Sequence, residues 1–175
     1  MGIKKRAFIL SLAFIILVSG AFATDVFVWK IDGKNPVDIH NLGIISYYNG
    51  NTNQAVSLIK SSVELDSSYD KGFYSLGLVY FRESDYKGAI ENFEKAVSLQ
   101  KGNTNYNFDL AVAYVELFRE KEKQNAIEIN SLGLLRKAIS RYESVILINP
   151  DFPNAASNLE IVKRVLEDYE TGFKE

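Results

Sequence analysis

Residues 73–99 read "FYSLGLVYFRESDYKGAIENFEKAVSL", with small residues at fixed places in a stretch otherwise rich in large apolar ones. Phe73, Leu76, Gly77 and Tyr80 fall at i, i+3, i+4 and i+7, one stripe of a helix over about Lys71 to Arg82. "ESDY" then supplies turn residues, and Ser84 or Asp85 stands where an N-cap belongs. A second helix, about Tyr86 to Leu99, buries Ala89, Ile90, Phe93, Ala96 and Val97. Gly77 and Ala89 lack bulk because two antiparallel helix backbones approach closely there.

The same pattern recurs at a period of 34 residues. Upstream, Leu42-Gly43 stands for Leu76-Gly77, Ala55 for Ala89, Ile39 for Phe73, Ile59 for Phe93 and Ser62 for Ala96. Downstream, Leu110-Ala111 and Tyr114 stand for Leu76-Gly77 and Tyr80. The register then slips by 15 residues and resumes at Ala138, Tyr142 and Val145, closing on "NPDFP" at 149–153. The extra residues centre on "REKEKQNAIEINSLG" at 119–133. Its Glu, Lys, Gln and Ala content favours a partial helical extension over a charged, mobile loop. Ser131 can cap the helix that follows, whose buried face is Leu134, Leu135, Ala138, Ile139 and Tyr142.

This 34-residue helix-turn-helix unit resembles the tetratricopeptide repeat family over roughly residues 36 to 170. The second repeat carries the match best, with Leu76, Gly77, Tyr80, Ala89, Phe93 and Ala96 at the family's positions. Ser46 and Ser62 depart from it in the first repeat and Ala111 in the third, while Pro150 matches the closing proline. The resemblance implies an all-α fold, an α-α superhelix with repeats at 36–69, 70–103 and 104–152. Residues 153–175 follow as a capping helix with an apolar stripe of Ala156, Leu159, Val162, Val165 or Leu166, and Tyr169.

Residues 1–23 have another character. "MGIKKR" is basic, "AFILSLAFIILV" is a short apolar run, and "SGAFA" ends in small residues, the layout of a secretory signal peptide. The other reading is an uncleaved anchor over residues 7–23. Either sends the rest of the chain out of the cytoplasm, so an exported, periplasmic or envelope-associated protein is expected. Removal of Lys4, Lys5 and Arg6 leaves 17 basic and 22 acidic residues, a net charge of −5. An acidic domain without a basic block argues against a nucleic-acid partner. With no cysteine and only His40, disulfides, thiolate metal sites and histidine clusters are excluded.

No phosphate-binding glycine loop, nucleophile elbow or H-E-x-x-H motif is present, so neither an enzyme nor a cofactor is expected. The resemblance implies that the first helix of each repeat lines a concave groove. Carried onto this chain, its lining is His40, Ile44 and Tyr47; Tyr74, Leu78 and Phe81; Phe108, Val112 and Val115. Family members that grip a peptide's terminal carboxylate use lysine and asparagine at several of these places. Here they are aromatic or aliphatic, so an apolar groove is expected and a carboxylate clamp is not. Three occupants stand open: a helix or extended segment of a partner protein, a second copy of the chain, or its own "TDVFVWKID" at 24–32. A membrane enters only through the N-terminal segment if that is not cleaved.

Overall fold

The computed structural model describes residues 35–172. The expected signal segment at 1–23 and the candidate groove occupant at 24–32 lie outside the described residues, as do residues 33, 34 and 173–175, while the last residue of the N-terminal segment expected at 24–35, Asn35, is described. Seven α-helices and one 3-10 turn make up the described chain. They are α1 Pro36–Tyr48, α2 Thr52–Leu65, α3 Asp70–Arg82, α4 Tyr86–Leu99, α5 Thr104–Lys123, α6 Leu132–Ile148 and α7 Ala155–Gly172, with the 3-10 turn Ile129–Ser131 before α6.

Helix starts follow capping chemistry. Asn35 accepts a hydrogen bond from Val37 N at 3.0 Å, Asp85 from Gly88 N at 2.9 Å and Asn103 from Tyr106 N at 3.2 Å. Each satisfies an otherwise unpaired N–H of a first turn. Ser84 takes a left-handed backbone, φ 62°, to close the tight turn, which leaves capping to Asp85. Ser131 is a correction. It occupies the residue before α6 but is already helical, and it makes no side-chain bond into that helix. Its hydroxyl accepts from Glu128 N at 3.3 Å and so closes the 3-10 turn behind it.

Each helix packs chiefly on the next, α1 on α2, α3 on α4, α5 on α6, and α7 on α6. This is an antiparallel hairpin array. Ala55, Ala89, Ala96, Ala111 and Ala138 are completely buried at the crossings, and Leu76, Phe93, Leu110 and Tyr142 fill the space between. Ser62, the polar stand-in for Ala96, is equally buried and turns its hydroxyl onto Ile59 O at 2.6 Å. No buried side-chain polar atom among the described residues lacks a partner.

The two glycines at the same repeat position, Gly43 and Gly77, serve different neighbours. A Cβ at Gly43 would stand 3.1 Å from Ala55 O, 3.2 Å from Ile59 N and 2.5 Å from Ile59 Cγ1, so helix backbones do meet there. At Gly77 the nearest atoms all belong to the Phe93 ring, with Cε1 at 2.5 Å. The expected backbone approach is therefore replaced in the second repeat by a ring laid against a bare helix.

The 15 extra residues of the third repeat are shared out. Helix α5 has 20 residues against 13 in α3, the connection is longer, and α6 has 17 against 14 in α4. The partial helical extension is thus observed. Its purpose is visible in the packing. Phe118 meets Tyr169 of α7 edge-on at 5.3 Å, and the Tyr169 hydroxyl donates to Glu122 at 2.6 Å. The capping helix buries Ala155 and Val162 and half-buries Leu159, Val165, Leu166 and Tyr169. Ala156, expected in this stripe, is exposed. The 100° advance per residue puts Ala155, seven before Val162, on the seam and Ala156 on its flank.

Candidate functional site

The nine groove positions implied by the family resemblance form three columns along the faces of α1, α3 and α5. All nine are buried or half-buried. The first column, His40, Tyr74 and Phe108, is spent on holding successive first helices together. His40 Nε2 lies 2.8 Å from Ser75 Oγ, and the Tyr69 hydroxyl lies 3.2 Å from its Nδ1. One repeat later the Tyr74 hydroxyl donates to Asp109 Oδ2 at 2.5 Å. Both latches join residue n to residue n+35, so one device is used twice with different chemistry. Phe108 ends the series among apolar partners, 5.5 Å from the Tyr142 ring and 5.0 Å from Phe152.

The latches perturb the groups that form them. Burial pushes the His40 imidazole below its ordinary pKa, against a hydrogen bond with Asn41 that raises it, and Lys71 lowers it further. Burial likewise pushes the Asp109 carboxyl up, while the hydrogen bond from Tyr74 pulls it down. Tyr74 is held strongly protonated by burial and by Asp109, and Tyr106 by burial and by Asp70, to whose Oδ2 it donates at 2.7 Å. The Tyr74 and Tyr106 rings lie 4.4 Å apart. This is a packed polar seam.

The other two columns keep apolar surface. Ile44, Tyr47 and Leu78 come together with Tyr48 and Val79 around a cleft of about 70 Å³ between α1 and α3. Arg82 closes one side, its guanidinium 5.7 Å from the Tyr47 ring centre. Phe81 packs edge-on against Tyr86 at 5.4 Å. Val112 and Val115 pack against the main core. The structure therefore joins Ile44, Tyr47 and Leu78 and leaves the third repeat's residues apart from them. Ser75, Asp109 and Arg82 were missed from the sequence. The signal for the first two was the repeated 35-residue offset, legible only once the first column is known to face its neighbour.

No group of three or more histidine, cysteine, aspartate or glutamate residues among the described ones is arranged to hold a metal. No helix among them is long and apolar enough to cross a membrane.

An array of helical hairpins at a 34-residue period, latched along its first helices, defines an α-α repeat scaffold. The sequence model of the tetratricopeptide repeat family matches residues 70–103, the repeat whose register is most regular. Over 119 residues the chain is 27% identical to the TPR repeat-containing protein YpiA of Bacillus subtilis, covering 67% of this chain and 28% of that protein. It is 26% identical over 104 residues to DnaJ homolog subfamily C member 3 of Gallus gallus, covering 59% of this chain and 20% of that one. The chain thus spans between a fifth and a third of the length of these curated relatives. Among solved structures, MamA is similar at a TM-score of 0.62 and 25% identity, over 84% of this chain and 74% of MamA. The first TPR of Spaghetti (RPAP3), solved bound to the HSP90 peptide SRMEEVD, superposes at a TM-score of 0.61 with 18% identity, over 78% and 99% of the two chains. Residues 70–103 thus form a tetratricopeptide repeat, and the surrounding array has the fold of tetratricopeptide-repeat solenoids.

Proposed function

We propose that this protein is a non-enzymatic interaction scaffold acting outside the cytoplasm, which holds an apolar segment of a partner protein on the face of its first helices. The cleft formed by Ile44, Tyr47 and Leu78 carries the reading, because it offers apolar walls beside one cation, Arg82. Such a site suits a segment with a large apolar side chain and an adjacent acid or carbonyl. The peptide held by the first TPR of Spaghetti supports the general mode. The basic-apolar-small layout of residues 1–23 supports export.

The test is affinity capture from a cell-envelope fraction with the full chain and with Leu78→Ala. A protein retained in stoichiometric amount by the parent and lost with Leu78→Ala, at unchanged far-UV circular dichroism, is the expected result. Identical captures by both chains overturn the reading.

Self-assembly in the envelope is the second reading. Val37, Ile45 and Tyr48 are 41%, 55% and 76% exposed on α1, the first described helix, where a stacked neighbour would cover them. Light scattering decides it: a strict monomer at high concentration removes this reading, and loss of a dimer with Ile45→Glu supports it.

A further inference from the structure

On the side away from the first-helix latches, α5 forms the floor of an open crevice of about 480 Å³ whose walls are α4 and α6. At one end of the floor stands Asn107, 1% exposed. Its amide group donates to Lys101 O and Asn103 O, both at 2.9 Å, which fixes its orientation. Its Oδ1 accepts from Arg141 Nη1 at 3.3 Å. Arg141 is half-buried, and among the described residues no carboxylate lies within ion-pair distance of it. Lys101 lines the same end. At the other end, two helical turns away, Glu94 accepts from the Tyr114 hydroxyl and lies 3.6 Å from Lys137 Nζ, so its charge is already answered.

The preceding junction, between α2 and α4 over α3, lacks this arrangement. There Phe73 stands for Asn107, Asn92 for Arg141 and Ser67 for Lys101. Phe73 packs into both core clusters. The third repeat has exchanged a filling ring for an amide that opens the floor and aims a guanidinium into the opening. A half-buried arginine with most of its five donors unused is matched by a bidentate acceptor. Glu94 across the crevice disfavours a doubly charged anion.

We propose that this crevice binds a carboxylate, presented by a glutamate- or aspartate-bearing segment of a protein partner. The site is separate from the apolar cleft on the first-helix face and does not depend on it.

The experiment uses the full chain labelled with ¹⁵N and four probes: an acetylated Gly-Glu-Glu-Gly amide, its Gly-Gln-Gln-Gly counterpart, succinate and inorganic phosphate. The glutamate peptide is expected to shift the Arg141 Nε–H and Asn107 side-chain resonances saturably, with the glutamine peptide at least tenfold weaker. Arg141→Gln should weaken the glutamate peptide at least tenfold and Lys101→Gln about threefold, whereas Tyr47→Ala should leave it unchanged. Asn107→Phe restores the residue of the preceding repeat and should abolish binding; if that variant does not fold, Arg141→Gln carries the test. Succinate matching the glutamate peptide keeps the carboxylate and assigns it to a small dicarboxylate. Equal binding of the glutamine peptide, tighter binding of phosphate, unaltered affinity in Arg141→Gln, or no shift with any probe overturns the proposal.

Discussion

The second and third repeats carry an aromatic ring at the same register position of their second helices, and they seat it differently. In the second, Phe93 lies against Gly77, and even a methyl group there would overlap the ring. In the third, Tyr142 and Ala111 hold the equivalent places, both fully or almost fully buried. The Tyr142 ring is gripped at its far end, where Asn158 of α7 reaches its hydroxyl at 3.4 Å. The two rings are equally buried, so the junctions differ in what the rings meet, a bare helix in the second repeat and the Asn158 amide in the third. Repeat proteins keep a register while each junction settles its own contacts.

The comparison can be broken most strongly by deleting the ring. Phe93→Ala should cost about 3–5 kcal/mol in chemical denaturation, since a 1% exposed aromatic leaves a cavity that rigid helices cannot close. A loss below about 1 kcal/mol would mean the second repeat is loosely packed. Next come the small residues themselves. Gly77→Ala and Ala89→Leu should each destabilise by about 1–3 kcal/mol through overpacking. Ala111→Gly should cost only about 0.5–1 kcal/mol, from backbone entropy. If Gly77→Ala raises the melting temperature, as helix propensity alone would have it, the asymmetry between the two repeats fails.

The two latches sharpen the same contrast through pH. His40, with a lowered pKa, contributes stability that is present above its ordinary value and lost as pH falls through the folded one. Acidification from about 7 to about 5 should therefore lower the melting temperature, spanning the ordinary histidine value of ~6.5, and His40→Gln should flatten that stretch of the curve. Asp109, with a raised pKa, behaves the other way. Its contribution is complete below the ordinary aspartate range and is lost as pH rises through the folded value. Asp109→Asn keeps an acceptor for Tyr74 and should be more stable than the parent at neutral pH, with no difference in strong acid. A parent-like curve for both variants would deny the latches any energetic part. The smallest effect is expected at the edge of the third repeat. Arg136 pairs with Glu170 at 2.7 Å, but both side chains are largely exposed, so Arg136→Gln should cost less than about 1 kcal/mol and nothing at high salt.

Much of this architecture was legible in residues 73–99. Tyr86–Leu99 forms the second helix with the bounds read from the sequence, and the first begins at Asp70, one residue earlier than expected. The extension past residue 119 was legible as helix from its composition, and its docking on Tyr169 was not. The groove was only half legible. The family resemblance placed nine residues on one face, but a family register carries no information about which of them a neighbouring helix will cover. Tyr74 reads as a free aromatic until Asp109 is known to stand 2.5 Å from its hydroxyl. Ala156 was misplaced for a related reason: one residue of rotational uncertainty at a helix start turns a seam position into a flank.

The sequence by itself determined the period, the helix pairs and their small contact residues, because these depend on repetition and on the 3.6-residue turn, both local properties of the chain. Tertiary structure alone decided which polar groups meet: His40 with Ser75, Tyr74 with Asp109, Asn107 with Arg141. Such meetings join residues 34 or 35 positions apart, and their distances depend on how far each hairpin turns and slides against the next. That displacement is the sum of many packing contacts, and no short stretch of the chain contains it.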